Sequence, residues 1–195
     1  MSGATRLLPA ADRPAVAWKN GGGVTSEVAA EPPGSDLAHF DWRVSIARVG
    51  APGPFSLFPG IERRLAILEG ALELAIDTQP PLALRAHDAA LVFPGEAPVS
   101  ARPLDGPVTD LNVMIRIGRC AARLELRRGE GGALEASAPV CLLIALSELR
   151  LSAGGEEVRL ARFDALRVAA GVWLRFSAAQ AASDFWWIEI RPAAN

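Results

Sequence analysis

Apolar and polar residues alternate along most of this chain with a period of two, which is the pattern of β-strands. Pro and Gly interrupt the apolar runs at short intervals, as turns do between the strands of a sandwich or barrel. Helical turns are predicted only for residues 10–16 and 178–182, so the chain is predicted to be all-β. The predicted strands are residues 23–29, 41–49, 53–58, 64–69, 71–77, 82–85, 90–93, 99–102, 109–116, 121–127, 140–146, 148–152, 158–160, 165–168, 172–176 and 185–191.

The order of these predicted strands repeats in the second half of the chain. A hairpin, a short strand and a block running from Asp to Gly occur within residues 64–95 and again within residues 143–171. The two Asp-to-Gly blocks have equal length, although their sequences differ. This order predicts two similar β units. We assign residues 1–118 to the first and 119–195 to the second, with strands that the two units can share.

Three consecutive glycines at positions 21–23 form a predicted turn between Lys19-Asn20 and a strand that carries Thr25 and Glu27. No Gly-Lys-Ser/Thr follows, which excludes a Walker loop, and the next element is a strand, which excludes a dinucleotide-binding fingerprint. Two interpretations remain open. The glycines form a structural turn, or their backbone N–H groups form a nest for an anion.

Charge and composition exclude several classes of partner. The 20 basic and 22 acidic residues leave a net charge of −2, and the basic residues are scattered, so neither nucleic acid nor a membrane surface is an expected partner. No apolar run approaches the length of a membrane span and the N-terminus lacks a secretory signal pattern, so we expect a soluble, cytoplasmic protein. Cys120 and Cys141 have no metal-binding or redox spacing and are interpreted as small buried residues.

Two stretches resemble the motifs of cupin barrels: the hairpin at residues 68–73, and Asp88 with the Phe93-Pro94-Gly95 that follows it. Cupins commonly hold a metal with two His, a Glu and a later His. The resemblance places these ligands within residues 55–59, at Arg63 and at Pro98, and none of the required residue types stands there. His39 and His87 lie elsewhere. We therefore expect no metal and no other cofactor.

A more specific resemblance rests on four ordered motifs within the first 120 residues. They are WKNGGGxTxE at 18–27, WRxSxA at 42–47, GPFSxFPGxxR at 53–63 and DLNVMxR at 110–116, and together they resemble the HutD/Ves family. The resemblance implies a bicupin: two similar RmlC-like jelly-roll barrels packed compactly. It also implies an accessory or regulatory association with histidine utilisation, without an established catalytic activity.

Strand parity groups the polar motif residues. Each of the predicted strands 23–29, 41–49 and 109–116 carries two polar residues on one face: Thr25 with Glu27, Arg43 with Ser45, and Asp110 with Asn112. That face could be either a solvated surface or a barrel interior. We interpret it as the mouth of the first barrel. Arg63 could be a surface charge at a strand end, or a cation that binds a carboxylate where other cupins hold a metal. The predicted ligand-binding residues are Lys19, Asn20, Thr25, Glu27, Arg43, Ser45, Phe58, Arg63, Asp110 and Asn112.

Three functions fit this sequence. The first is a metal-free cupin that binds a small carboxylated metabolite; the family association favours a formylated or formiminated glutamate. The second is a metal-independent hydrolase or isomerase with Glu27 or Asp110 as general base, which ranks lower because tyrosine is absent and neither histidine lies in a motif. The third is an interaction module without a ligand. A homodimer formed through sheet edges is compatible with each of them.

Overall fold

The computed structural model describes residues 4–129, 131–177 and 183–193, and it confirms the all-β prediction. None of these residues forms a helix with the length and hydropathy needed to cross a membrane. One 3₁₀ turn spans Ala10–Asp12. The strands are β1 (Thr5–Leu8), β2 (Ala15–Ala17), β3 (Gly23–Glu31), β4 (Trp42–Val49), β5 (Gly53–Pro54), β6 (Ile61–Glu69), β7 (Ala71–Ile76), β8 (Leu82–Arg85), β9 (Leu91–Pro94), β10 (Val99–Pro103), β11 (Val108–Arg116), β12 (Cys120–Gly129), β13 (Ala133–Glu135), β14 (Val140–Ala145), β15 (Leu149–Ala153), β16 (Glu156–Leu160), β17 (Ala165–Val168), β18 (Trp173–Phe176) and β19 (Ser183–Pro192).

Three differences from the predicted elements concern short or proline-containing segments. The predicted helical turn at 10–16 is helical only over Ala10–Asp12, and its end is strand β2. The predicted strand 53–58 is a strand only in β5, and after it only isolated backbone hydrogen bonds continue, such as Phe55 N to Val99 O. Strands β1, β2 and β13 were not predicted. The predicted helical turn at 178–182 lies outside the described residues.

The strands form two units with the same topology. One contains residues 14–120, and the other contains Ala121–Pro192 together with the described residues up to Arg13. The sheets of the first unit have the orders β2-β3-β4-β11-β6-β9 and β5-β10-β7-β8. Those of the second have the orders β1-β17-β14-β19-β12 and β13-β18-β15-β16. Each strand from β4 to β11 therefore has a counterpart eight strands later, whereas the repeat read from the sequence began only at β6 and β14.

The N-terminal strand does not follow the predicted boundary. Strand β1 pairs with β17, so it extends a sheet of the second unit, whereas the sequence placed residues 1–118 in the first. Asp164 fixes the segment that follows β1, because its two carboxylate oxygens accept hydrogen bonds from the backbone N–H groups of Ala10 and Ala161. The division into a motif-carrying cupin unit and a degenerate one stays a prediction.

Each unit encloses an apolar core between its two sheets. In the first unit, Leu65 and Val108 of the six-stranded sheet face Leu72 and Leu74 of the four-stranded sheet. In the second unit the same space holds larger side chains, including Trp187. The first interior is lined by polar side chains over part of its length, and the candidate site lies there.

Candidate functional site

The polar motif residues lie on the inner face of the six-stranded sheet. Strand β11 is central, with β4 on one side and β6 on the other. The ladder places Asn112 opposite both Ser45 and Leu65, and Met114 opposite both Arg43 and Arg63. Side chains that are directly opposite in an antiparallel pair have Cβ atoms about 5 Å apart. The register therefore brings polar residues from three strands to one wall.

Three buried side chains on this wall form a chain of hydrogen bonds. Arg63 Nη2 donates to Asn112 Oδ1 at 2.6 Å, and Asn112 Nδ2 donates to Asp110 Oδ1 at 2.7 Å. An arginine can only donate, so its bond fixes which side of the Asn112 amide faces it and turns the amide nitrogen toward Asp110. Arg63 is 6% exposed, and Asp110 is 1% exposed. Arg63 is therefore an interior cation, and its interpretation as a surface charge is wrong.

Three phenylalanine rings surround the guanidinium of Arg63. Its Cζ atom lies 4.7 Å from the ring centroid of Phe55, 5.2 Å from Phe93 and 5.8 Å from Phe58. Phe93 is opposite Arg63 in the ladder between β6 and β9, whereas Phe55 and Phe58 come from the irregular segment after β5. Aromatic faces stabilise a cation without neutralising it. The site therefore keeps its positive charge.

Within the hydrogen-bonded trio of Arg63, Asn112 and Asp110, two polar atoms have no hydrogen-bond partner among the described residues. They are Arg63 Nε and Asp110 Oδ2, and both are buried. Burial raises the pKa of the Asp110 carboxyl to about 7, although the charge of Arg63 and the hydrogen bond from Asn112 act in the opposite direction. Burial also lowers the pKa of Arg63 to about 10, so Arg63 is protonated at neutral pH. Because Asp110 Oδ1 accepts from Asn112, a proton on Asp110 resides on Oδ2.

A second polar cluster on the same face is more open to solvent. Arg43 Nε donates to Glu27 Oε2 at 2.9 Å, and Arg43 Nη1 donates to Ser45 Oγ at 3.3 Å. The side chain of Glu27 is 39% exposed and that of Arg43 is 14% exposed. Two ladder irregularities adjoin the polar residues, one after Glu27 in β3 and one beside Asp110 in β11. Bulges often re-aim side chains next to functional sites.

The glycine turn uses its N–H groups internally. Gly21 N donates to Trp18 O, and Gly22 N donates to Asn20 Oδ1. A Cβ on Gly23 would lie 2.5 Å from Arg48 O and 3.1 Å from the Trp18 ring, so a close backbone approach requires glycine there. These contacts favour the structural turn over an anion nest.

Of the predicted site residues, Lys19 and Asn20 lie in the glycine turn and are exposed. Gly23 pairs with Val49, six residues along β4 from Arg43, and this separation is roughly 20 Å in a strand. Lys19 and Asn20 therefore lie near the end of β4 that is opposite to Arg43, and within the described part of the chain no hydrogen bond joins either of them to Arg63. Thr25 is on the inner face, where its hydroxyl accepts a 2.7 Å hydrogen bond from Trp18 Nε1. Phe58 lies beside Arg63, and the structure brings together the other six: Glu27, Arg43, Ser45, Arg63, Asp110 and Asn112.

No group of three His, Cys, Asp or Glu side chains within the described ranges is arranged to hold a metal ion. The positions that the cupin resemblance assigns to metal ligands in the first unit are occupied by Arg63, Pro98 and residues 55–59, none of which is a histidine or a glutamate. His39 lies in an exposed loop, where its Nδ1 contacts Asp36 Oδ1 at 2.7 Å. His87 is exposed and precedes β9.

Sequence reasoning missed Phe55 and Phe93 as neighbours of Arg63, and the bond between Trp18 and Thr25. Phe93 was detectable, because pairing the predicted strands 64–69 and 90–93 brings it near Arg63. The position of Phe55 depends on the irregular path of residues 55–60, for which strand periodicity carries no signal.

Comparison with known proteins places these features in a family. The HutD family model matches residues 10–186. An uncharacterised 21.2 kDa protein in the hutC 3′ region of Pseudomonas putida is 38% identical over 165 residues, which are 84% of this chain and 86% of that protein. Protein Ves of Citrobacter koseri is 38% identical over 112 residues, 56% of either chain.

Solved structures agree with the sequence matches. HutD from Pseudomonas fluorescens SBW25, in a formate condition, has a TM-score of 0.82 and 27% identity, with 98% of this chain and 100% of that one covered. A cupin 2 conserved barrel domain protein from Leptotrichia buccalis has a TM-score of 0.58 at 12% identity, covering 90% and 92%, and this likeness shows the cupin fold alone. The family model and the Pseudomonas putida relative together show that this chain belongs to the HutD family.

Proposed function

We propose that this protein is a cupin that binds a small carboxylated metabolite in its first barrel without a metal, and that it has an accessory or regulatory role in histidine utilisation. The observation that carries the proposal is Arg63, a buried guanidinium that has no carboxylate within ion-pair distance among the described residues. Burying a charge without a counter-ion is costly. An anion bound in the barrel would supply the missing partner.

The two unpartnered atoms define the chemistry of that anion. Arg63 Nε is a donor, and Asp110 Oδ2 becomes a donor when the carboxyl is protonated. A carboxylate could accept from both, whereas a cation would meet Arg63 unfavourably. The proton on Asp110 removes a negative charge from the wall, so we expect anion binding to be coupled to proton uptake and to weaken as pH rises through 7.

The more open cluster would select the remainder of the ligand. Glu27 is an acceptor with 39% of its side chain exposed, and it is held by Arg43. An amine, amidine or amide N–H on the ligand would find an acceptor there. A glutamate with a formyl or formimino group combines carboxylates with such an N–H. The names of HutD and of the hutC-region relative agree with a role in histidine utilisation.

Isothermal titration with N-formylglutamate and N-formiminoglutamate at pH 6 and pH 8 tests this proposal. We expect tighter binding at pH 6, and a loss of about 10- to 100-fold in Arg63→Gln, since hydrogen bonds to charged groups contribute about 1.5–3 kcal/mol. Arg64→Gln is the matched control, because Arg64 is adjacent on β6 and pairs with Glu62 instead. Absence of heat with either compound, or equal affinity in Arg63→Gln, would refute this ligand class.

One observation favours a second candidate, metal-independent acid–base catalysis. The pKa of Asp110, about 7, lies where a general base is most effective at neutral pH. Turnover of a carboxylated metabolite that survives chelation and disappears in Asp110→Asn would support it. Assembly as a homodimer stays a prediction; the three exposed residues of edge strand β2 offer one surface for it, and sedimentation tests it.

A further inference from the structure

A pocket of about 370 Å³ opens on the surface of the first unit, and Phe58 in its wall also lies beside Arg63 of the barrel. Leu37 and Leu57 in its wall are 56% and 57% exposed. Its volume falls in the range of small-molecule sites. The residues that line it are apolar except for one arginine: Leu37, Ala38, Leu57, Phe58, Pro59, Ile61 and Arg116.

Arg116 is held in a fixed orientation by neutral groups. Its Nε donates to Phe40 O at 3.0 Å, and its Nη2 donates to Ala38 O at 2.7 Å. The ring of Phe40 lies 5.8 Å from its Cζ. These two bonds use one edge of the guanidinium and leave three of its five N–H groups, two on Nη1 and one on Nη2.

The charge of Arg116 is not balanced locally. Among the described residues no Asp or Glu carboxylate pairs with it, in contrast to Arg119 nearby, which pairs with Asp41 at 3.0 Å. A guanidinium whose end carries free N–H groups on both Nη atoms matches the two oxygens of a carboxylate. The surrounding leucine and phenylalanine side chains match an apolar body attached to that carboxylate.

We propose that this pocket is a second binding site, which takes a small monocarboxylate with an aromatic or branched aliphatic body. The carboxylate contacts the free end of Arg116, and the apolar body covers Leu57 and Phe58. A carboxylate without an apolar body buries too little apolar surface to bind in an open pocket. A neutral aromatic compound lacks the charge-assisted hydrogen bonds to Arg116. The proposal does not depend on a ligand in the barrel.

Benzoate is the probe, with benzamide and acetate as comparisons that lack the charge or the ring. Amide chemical shifts of the ¹⁵N-labelled protein are followed during titration, together with the Nε–H signal of Arg116, which its bond to Phe40 O protects. We expect benzoate to shift the signals of Ala38, Leu57 and Arg116. Benzamide and acetate should bind at least about tenfold more weakly, since one charge-assisted interaction is worth that factor or more.

Four variants make the result specific. Arg116→Ala should weaken benzoate binding at least about tenfold. Leu57→Asp should also weaken benzoate binding, because the new carboxylate would repel the carboxylate of benzoate. Leu57 is exposed and takes no part in the hydrogen bonds that hold Arg116. Arg48→Ala removes the same charge from an exposed site on β4, and Arg64→Gln removes it on β6, where Arg64 pairs with Glu62; both should bind benzoate as the wild type does.

Shifts that are confined to the pocket and lost in Arg116→Ala and Leu57→Asp support the site. It is overturned if benzoate produces no localised shifts, if benzamide binds equally, or if Leu57→Asp binds as the wild type does. Benzoate-induced shifts at Ser45 and Asn112 in place of the pocket residues would also overturn it, because the ligand would then occupy the barrel. These outcomes do not depend on whether the barrel binds a metabolite, so each proposal can be refuted without refuting the other.

Discussion

Replacing Asp110 by asparagine isolates the cost of a buried carboxylate. The substitution keeps the shape of the side chain and the oxygen that accepts from Asn112, and it cannot ionise. Asp110 is 1% exposed, and its pKa in the folded protein is about 7, against 3.8 for the ordinary group. Because the folded value is the higher one, the folded protein retains this proton over a pH range in which the unfolded chain has lost it.

The sign and size of the effect follow from this difference. Between pH 4 and pH 7 the unfolded chain binds fewer protons at this position, so the free energy of unfolding of the wild type falls as pH rises. The maximum slope is roughly 1.4 kcal/mol per pH unit, and an interval of about 3 units gives a total of about 4 kcal/mol. Above pH 7 both states are ionised, and this contribution becomes constant.

Urea unfolding followed by tryptophan fluorescence, from pH 4 to pH 8, measures it. Subtracting the wild-type free energy from that of Asp110→Asn cancels the other carboxylates. We expect Asp110→Asn to gain about 4 kcal/mol relative to the wild type across this range and then to level off. Asp105→Asn removes a carboxylate from an exposed position and serves as the control. A flat difference for Asp110→Asn, or a wild type that gains with pH, would refute the reasoning.

Two further predictions concern the glycine turn. Gly23→Ala places a methyl group 2.5 Å from Arg48 O and should destabilise the protein by about 1–3 kcal/mol, whereas Gly22→Ala, whose nearest contact is 3.4 Å away, should change stability by less than about 0.5 kcal/mol; thermal melts of the pair decide this. Trp18→Phe removes the hydrogen bond to Thr25, and a double-mutant cycle with Thr25→Val should give a coupling energy of about 1 kcal/mol; independent, additive effects would show that this bond does not contribute.

Periodicity predicted most of the sheet but not its short edges. Strands β8 and β17 occupy the predicted residues, because each is a short apolar run bounded by turn residues. Strands β1 and β2 were missed, since three or four residues carry too little alternation and these strands exist through pairing with β17 and β3. The segment after β5 kept only isolated backbone bonds, such as Phe55 N to Val99 O.

The candidate site was predictable where strand parity governs it. Arg43 and Ser45 on one strand and Asp110 and Asn112 on another had to share a face, and strand register brings the two pairs together. Parity cannot report which face is interior, nor how a loop crosses a barrel. The burial of Arg63 and its contact with Phe55 therefore required the structure. Lys19 and Asn20 were grouped with the site through sequence proximity to Thr25, although the strand carries them away from it.

Because the two units have matching topologies, the second unit is an internal comparison for the interior of the first. Strands β12–β19 follow the path of β4–β11, but their interior holds Phe185, Trp187 and aliphatic side chains beside the buried Glu189, which accepts a hydrogen bond from Ser137. The same scaffold thus exists in one chain with two differently filled interiors. Counterparts of Arg63, Asp110 and Asn112 can therefore be introduced into the second barrel, which lacks them. Such a variant would test whether these three residues are sufficient for anion binding in a barrel of this topology.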